Sequence, residues 1–254
     1  MKIQYASDLH LEFPQNTAWL EKKPLQPVGD ILLLAGDTHN LGRKFTQHPY
    51  LDVLSEQYKM VYIIPGNHEF YGGFDAQICL QENYELDLRP NVFLVNNFVK
   101  IIKNVRLIFT TLWSKIEREK HAIVTGMSDF HLIRCKGTPL TIENYNELFE
   151  ASWAFLSREI NTPFDGTTIV VTHHLPSDLC NLEKFKGSVL NEAFCVNLTH
   201  EIEASHVDYW IYGHSHGNKL PFSIGNTMML TNQLGYVHIG ENRSFEYDAL
   251  IALD

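Results

Sequence analysis

Six short apolar runs punctuate the chain, and each one ends in polar residues. They are KIQYASDLH (2–10), DILLLAGDTH (30–39), KMVYIIPGNHEF (59–70), VRLIFTTLW (105–113), TTIVVTHHLP (167–176) and VDYWIYGHSH (207–216). The middle of each run is nearly continuous apolar, which predicts strands covered on both faces. Between them, HPYLDVLSEQY (48–58), TIENYNELFEASWAFLSREI (141–160) and SVLNEAFCVNLTHEIEAS (188–205) space their apolar residues by three and four, which predicts helices. The tail, TMMLTNQLGYVHIG and SFEYDALIALD, reads as further strands. Strands alternating with helices imply an α/β layered fold. No repeat or linker-like stretch divides the chain, so one domain is expected over 1–254.

The polar ends of these runs carry the chemistry. They offer Asp8-x-His10, Gly36-Asp37, Gly66-Asn67-His68-Glu69, His173-His174 and Gly213-His214-Ser215-His216. Ligands of α/β sheets collect outside the carboxyl ends of strands. In an extended segment residues i and i+2 face the same way, so Asp8 with His10, and His214 with His216, are each expected to point at one centre. Taken singly, each fragment reads equally well as a helix cap, a turn or a hydrogen-bonded core histidine. Together they supply seven nitrogen and oxygen donors and no thiolate, which exceeds the four donors of a single zinc and suits two metals sharing a carboxylate. Mixed carboxylate and imidazole donors favour manganese, iron(II), cobalt or zinc over calcium. Such a pair can clamp a phosphoryl group and lower the pKa of a bound water toward neutrality.

Composition narrows the partners. Lys and Arg number 20 against 30 Asp and Glu, a formal charge of −10. That balance, with no Lys/Arg cluster, argues against a basic nucleic-acid surface. Two divalent cations against Asp8, Asp37 and a hydroxide would still leave the site itself positive, and so attractive to a phosphate group. No apolar run approaches the roughly 20 residues of a membrane span. The amino-terminal MKIQYASDLH lacks a signal-peptide apolar stretch, and the four cysteines form no C-x-x-C pair, so a cytoplasmic protein with reduced thiols is expected.

The ordered set D-x-H, G-D, G-N-H-E, H, G-H-x-H, spanning residues 8 to 216, resembles the calcineurin-like metallophosphoesterase superfamily. The resemblance implies a four-layer αββα sandwich of two mixed sheets between helices. It implies that Asp8, His10 and His216 hold one metal, that Asn67, His173 and His214 hold a second, and that Asp37 bridges them. It also implies that His68 protonates the leaving group while a metal-bridging hydroxide attacks phosphorus in line. Independently of any family, an imidazole titrating near neutrality beside Asn67 suits that role. The second motif here is Gly36-Asp37-Thr38-His39-Asn40-Leu41-Gly42. It departs from the G-D-x-V-D-R-G of Ser/Thr protein phosphatases, which puts in doubt the carboxylate orienting the general acid in that branch. Asn40 stands where purple acid phosphatases carry a Tyr. The small bacterial-type phosphoesterases and phosphodiesterases remain, with a small phosphate mono- or diester as substrate.

His39 and Arg43 are candidates for substrate contact, and His174 for orienting its neighbours. Asp129 has no assigned role. Phe70, Tyr71, Phe74 and Trp113 follow strand ends, where they either wall a pocket or pack the core. A non-catalytic scaffold on the same fold should have lost a ligand or His68, and none is missing. A nuclease should carry a basic groove, and none is visible.

Overall fold

A computed structural model describes residues 1–253. Two six-stranded mixed sheets face each other. In spatial order the first runs Leu250–Ala252, Lys2–Ala6, Ile31–Leu34, Met60–Ile63, Val92–Asn96 and Tyr84–Arg89. The second runs Phe222–Ile224, Thr227–Leu230, Tyr209–Ile211, Thr167–Thr172, Val105–Thr110 and Phe98–Ile102. In each sheet the four central strands are parallel and both edges antiparallel. The expected layered sandwich is therefore the architecture observed.

Why the strands are apolar throughout follows from their two covered faces. Ile3, Tyr5, Ile31, Leu33 and Tyr62 of the first sheet meet Leu107, Phe109, Ile169, Val171 and Ile211 of the second. The alternate residues, such as Leu32, Leu34, Val61, Ile63, Ile108 and Val170, belong to the outer core with the helices. The Tyr62 and Phe109 rings pack across the two sheets with centroids 5.2 Å apart.

The helix Ile142–Asn161 lies on the second sheet, with Tyr145, Leu148, Phe149, Ser152, Phe155, Leu156 and Ile160 buried at spacings of three and four. Its N-cap, Thr141, accepts from the Asn144 amide at 3.2 Å. The helix Pro49–Gln57 covers the first sheet, as its spacing predicts. The expected helix over 188–205 is not continuous. Asn191–Ala193 forms one 3-10 turn and only Thr199–Ala204 is α-helical. The intervening segment is pulled extended by pairing with Leu175, whose amide donates to the Phe194 carbonyl at 3.1 Å while Val196 donates back at 3.1 Å. The tail is also less regular than expected. The strand from Thr227 stops at Leu230, and Val237–Ile239 is a 3-10 turn instead of strand. This loop ties the sheets together, because Ser7 donates its amide to the Asn232 carbonyl at 2.9 Å. All four cysteines are free and buried, and no described helix is long and apolar enough to cross a membrane.

The facing of the two sheets yields a stability prediction. Phe109→Ala should cost about 3–5 kcal/mol, the usual penalty for emptying a buried aromatic site. Tyr62→Phe, which removes a buried hydroxyl with no partner, should be neutral or stabilising by about 1 kcal/mol. Denaturant unfolding of both variants checks this; a loss below about 1 kcal/mol for Phe109→Ala would show that the inter-sheet core does not hold the layers.

Candidate metal centre

The central strands of both sheets end on the same side of the sandwich. The first sheet delivers Asp8, His10, Asp37, Asn67 and His68 just past Ala6, Leu34 and Ile63; the second delivers His173, His214 and His216 just past Thr172 and Ile211. All seven expected ligands are buried or nearly so, and they meet in one place.

They do not get there by the alternation of an extended segment. Asp8, His10, Asp37, His214 and His216 have φ of +55°, +47°, +52°, +74° and +48°. Each sits in the left-handed region, which costs a non-glycine residue on the order of 1 kcal/mol or more. The expectation that D-x-H and H-x-H converge is met, but by a left-handed turn at each ligand. Adjacent loops hold these turns: Asp8 donates its amide to the Gly36 carbonyl at 3.0 Å, His10 to Asp37 at 2.9 Å and Gly213 to His173 at 3.0 Å. Glu69, read from sequence only as part of its motif, accepts from the backbone amides of Thr38 at 2.7 Å, Gly66 at 2.7 Å and Asp37 at 3.0 Å. Gly66 allows the close approach: a Cβ there would lie 2.2 Å from Asp37 Oδ1 and 2.6 Å from His173 Nε2.

The donors form two groups that share Asp37: Asp8, His10 and His216 on one side, His173 and His214 on the other. Ring tautomers follow from the nitrogen facing outward. His10 Nδ1 donates to Glu12 Oε1 at 3.0 Å, and His216 Nδ1 donates to Glu241 Oε2 at 2.9 Å. Their Nε2 lone pairs then face each other at 2.8 Å. His173 Nδ1 donates to the Ala35 carbonyl at 2.9 Å, so its Nε2 presents a lone pair to Asn67 Oδ1 at 3.1 Å and Asp37 Oδ1 at 3.4 Å. Asn67 shows its oxygen because its amide donates to Asp129 Oδ1 at 2.9 Å. Lone pairs aimed at lone pairs repel unless a proton or a metal cation lies between them; burial opposes charge on His173, but Asp37 overcomes it and raises its pKa to about 9, so without metal a proton fills that gap. At metal–nitrogen distances of about 2.1 Å, neighbouring donors stand about 3.0–3.4 Å apart; His173 lies 3.1 Å from Asn67 and 3.4 Å from Asp37, whereas His10 and His216 are closer, at 2.8 Å. The donor set and its outward hydrogen bonds fit divalent cations.

His68 lies beside these groups. Its Nδ1 donates to Glu12 Oε1 at 2.9 Å, and its Nε2 faces the Tyr236 hydroxyl at 3.2 Å. Burial opposes charge on His68, but Asp37 and Glu12 overcome it and hold its pKa up at about 9. Burial would raise Glu12, yet its bonds to His10 and His68 bring it down to about 2. Glu12, Glu241, Tyr236 and Asp129 are the residues sequence reasoning missed or left open. Glu12 has a legible position, two residues beyond His10; Glu241 and Tyr236 come from a loop with no motif. Glu12 and Glu241 also offset the positive charge expected at the site, so attraction of phosphate must come from contact with the cations themselves.

The remaining candidates sort by burial. His174 is fully buried, stacked on Trp113 at 5.3 Å and reached by the Tyr145 hydroxyl at 3.3 Å. Phe70 and Trp113 are core, Phe74 packs against it, and Tyr71 lines the cavity over the ligands. His39 is buried and stacks on Phe45 at 5.7 Å; it and the exposed Arg43 line a second cavity alongside. Neither contacts the ligand cluster through any hydrogen bond or ion pair.

Comparison with known proteins gives the family and the fold. An uncharacterized protein, L509, of Acanthamoeba polyphaga mimivirus is 29% identical over 282 residues, covering 99% of this chain and 96% of its own. Phosphopantetheinyl hydrolase from Mycobacterium tuberculosis shares the fold with a TM-score of 0.71 at 16% identity, over 100% of this chain and 96% of that one. A dimetal phosphatase from Danio rerio does so with a TM-score of 0.50 at 12% identity, over 92% and 87%. The calcineurin-like phosphoesterase model matches residues 1–218, a span holding all seven donors and His68. The chain therefore belongs to the calcineurin-like phosphoesterase family and is a metal-dependent hydrolase of phosphoric esters.

Proposed function

We propose that the protein hydrolyses a small phosphate ester at a two-metal centre in which Asp37 is shared. The observation that supports this most is the pair of donor clusters crowded around Asp37, with His10 and His216 Nε2 atoms 2.8 Å apart on one side and His173 and Asn67 3.1 Å apart on the other. Asp8, His10 and His216 would hold one cation and Asn67, His173 and His214 the other. Manganese, iron(II) and zinc all suit such donors. When bound, the pair supplies positive charge for the phosphoryl oxygens and a water acidic enough to attack phosphorus at neutral pH.

His68 donates the proton that the leaving oxygen needs. Its Nε2 points away from Glu12 toward the cavity, so a protonated ring presents N–H to an ester oxygen there. Glu12 fixes both His10 and His68 through one carboxylate oxygen, which couples the orientation of a ligand to that of the acid. Tyr236 stands opposite His68 and can donate to the same oxygen.

The first test is a screen. Protein reloaded with manganese, iron(II) or zinc should hydrolyse bis(p-nitrophenyl) phosphate or p-nitrophenyl phosphate, and chelation should abolish it; inactivity under every loading contradicts the proposal. Asp37→Asn should bind far less of both metals, so two ions retained at wild-type affinity, measured by elemental analysis, would remove its shared role. His68→Ala should keep its metal but lose about 10²–10⁴-fold in kcat on alkyl esters and little on p-nitrophenyl esters, whose leaving groups need no proton. Glu12→Gln should weaken metal binding about 10–100-fold and, at saturating metal, lose more on alkyl than on aryl esters. Equal losses on both ester types would confine Glu12 to holding His10.

A further inference from the structure

One cavity opens at the ligand cluster and a second lies alongside it, and the charges in their linings differ. The first, about 590 Å³, has Asp37, Asn67, His214 and His216 in its lining with one further carboxylate, Glu241, several Ser and Asn side chains and no Lys or Arg; Leu132, Phe185, Leu190 and Phe194 supply its apolar wall. The second, about 630 Å³, contains none of the seven donors; its lining includes His39, Asn40, Gly42, Arg43 and Lys44. They share Phe13, His68, Tyr71 and Leu132. Each is large enough for a small-molecule substituent.

From this we infer that the substrate is a phosphodiester with two unlike halves, an apolar group that leaves and an anionic group that stays. The inference rests on the phosphoesterase reading above. A phosphorus atom seated at the donors lies beside His68, one of four residues common to both cavities, so a substituent can extend to each side. A monoester has one substituent and would leave one cavity without an occupant. The apolar cavity takes the leaving group, because His68 Nε2 faces Tyr236, which lines that cavity and not the other.

The second cavity takes an anion. Arg43 and Lys44 bring two cations to it in a chain whose acidic residues exceed its basic ones by 30 to 20. The one carboxylate in its lining, Glu12, is occupied by two imidazoles at 3.0 and 2.9 Å. His39 Nδ1 donates to the Asn40 carbonyl at 2.8 Å, so its Nε2 turns a lone pair outward and takes no part in holding an anion. A carboxylate or second phosphate on the substrate would meet the Arg43 and Lys44 cations. The reaction balances as hydrolysis: water oxygen bonds to phosphorus, the bond to the apolar substituent's oxygen breaks, and that oxygen leaves with a proton from His68. The product is a phosphomonoester carrying the anionic group.

Two near-isosteric diesters test this, p-nitrophenyl butyl phosphate and p-nitrophenyl 3-carboxypropyl phosphate. With manganese-loaded wild type, kcat/KM should favour the carboxylate-bearing ester by about tenfold, as expected for one charge-assisted contact. In the double variant Arg43→Ala/Lys44→Ala that ratio should fall to about one. A wild-type ratio at or below one, or a ratio unchanged in the variant, overturns the inference while hydrolysis of both esters leaves the phosphoesterase reading intact. Hydrolysis of p-nitrophenyl phosphate with no turnover of either diester overturns the diester assignment alone. No turnover of any ester overturns both.

Discussion

The site depends on an arrangement of donors that repel one another unless a proton or a metal cation lies between them. Around the Asp37 carboxylate, imidazole nitrogens and an amide oxygen turn lone pairs toward one another at about 3 Å. Five of the residues do so from left-handed backbone, where each is strained. Two divalent cations, as proposed, would convert these repulsions into attraction. The strain is tolerated because the surroundings over-determine it. Carbonyls and carboxylates grip the outer ring nitrogens, Glu69 gathers three backbone amides of the Asp37 and Gly66 turns, and Gly66 leaves room for Asp37 and His173 to approach.

The sandwich is what makes two separate sequence regions into one site. Each sheet contributes part of both metal groups, so the relative placement of the sheets sets the distances between donors. That placement is held by an apolar layer common to both, with Phe109 against Tyr62, and near the site by the Ser7 backbone bonding to the loop beyond Leu230. The helix Ile142–Asn161 reaches in from outside: Tyr145 touches His174, which stands against His214 with ring centroids 4.2 Å apart. Packing, backbone geometry and electrostatics thus converge on the same few atoms.

Much of this was legible in the residues, and the failures are physical. The strands could be read because burial on two faces leaves an unbroken apolar run, and the donors could be read because they follow those runs directly. The geometry at the donors was misjudged. Alternation in an extended strand was expected to aim Asp8 with His10, but the chain has already left the strand, and a left-handed turn aims them instead. The long helix over 188–205 failed because pairing of Val196 with Leu175 outweighs apolar spacing. Glu241 and Tyr236 come from a loop whose role is set by where it crosses, not by its own pattern. Glu12 stands in plain view two residues beyond His10, but only the folded chain brings it to both His10 and His68.

The central claim is that Asp37 stands between two cations. Crystals of the manganese-loaded protein, measured for anomalous scattering at the manganese edge, test it most directly. The account predicts two peaks about 3.5–4 Å apart, one beside Asp8, His10 and His216, the other beside Asn67, His173 and His214, with the Asp37 carboxylate reaching both. A single peak at saturating metal, or peaks away from Asp37, would contradict it.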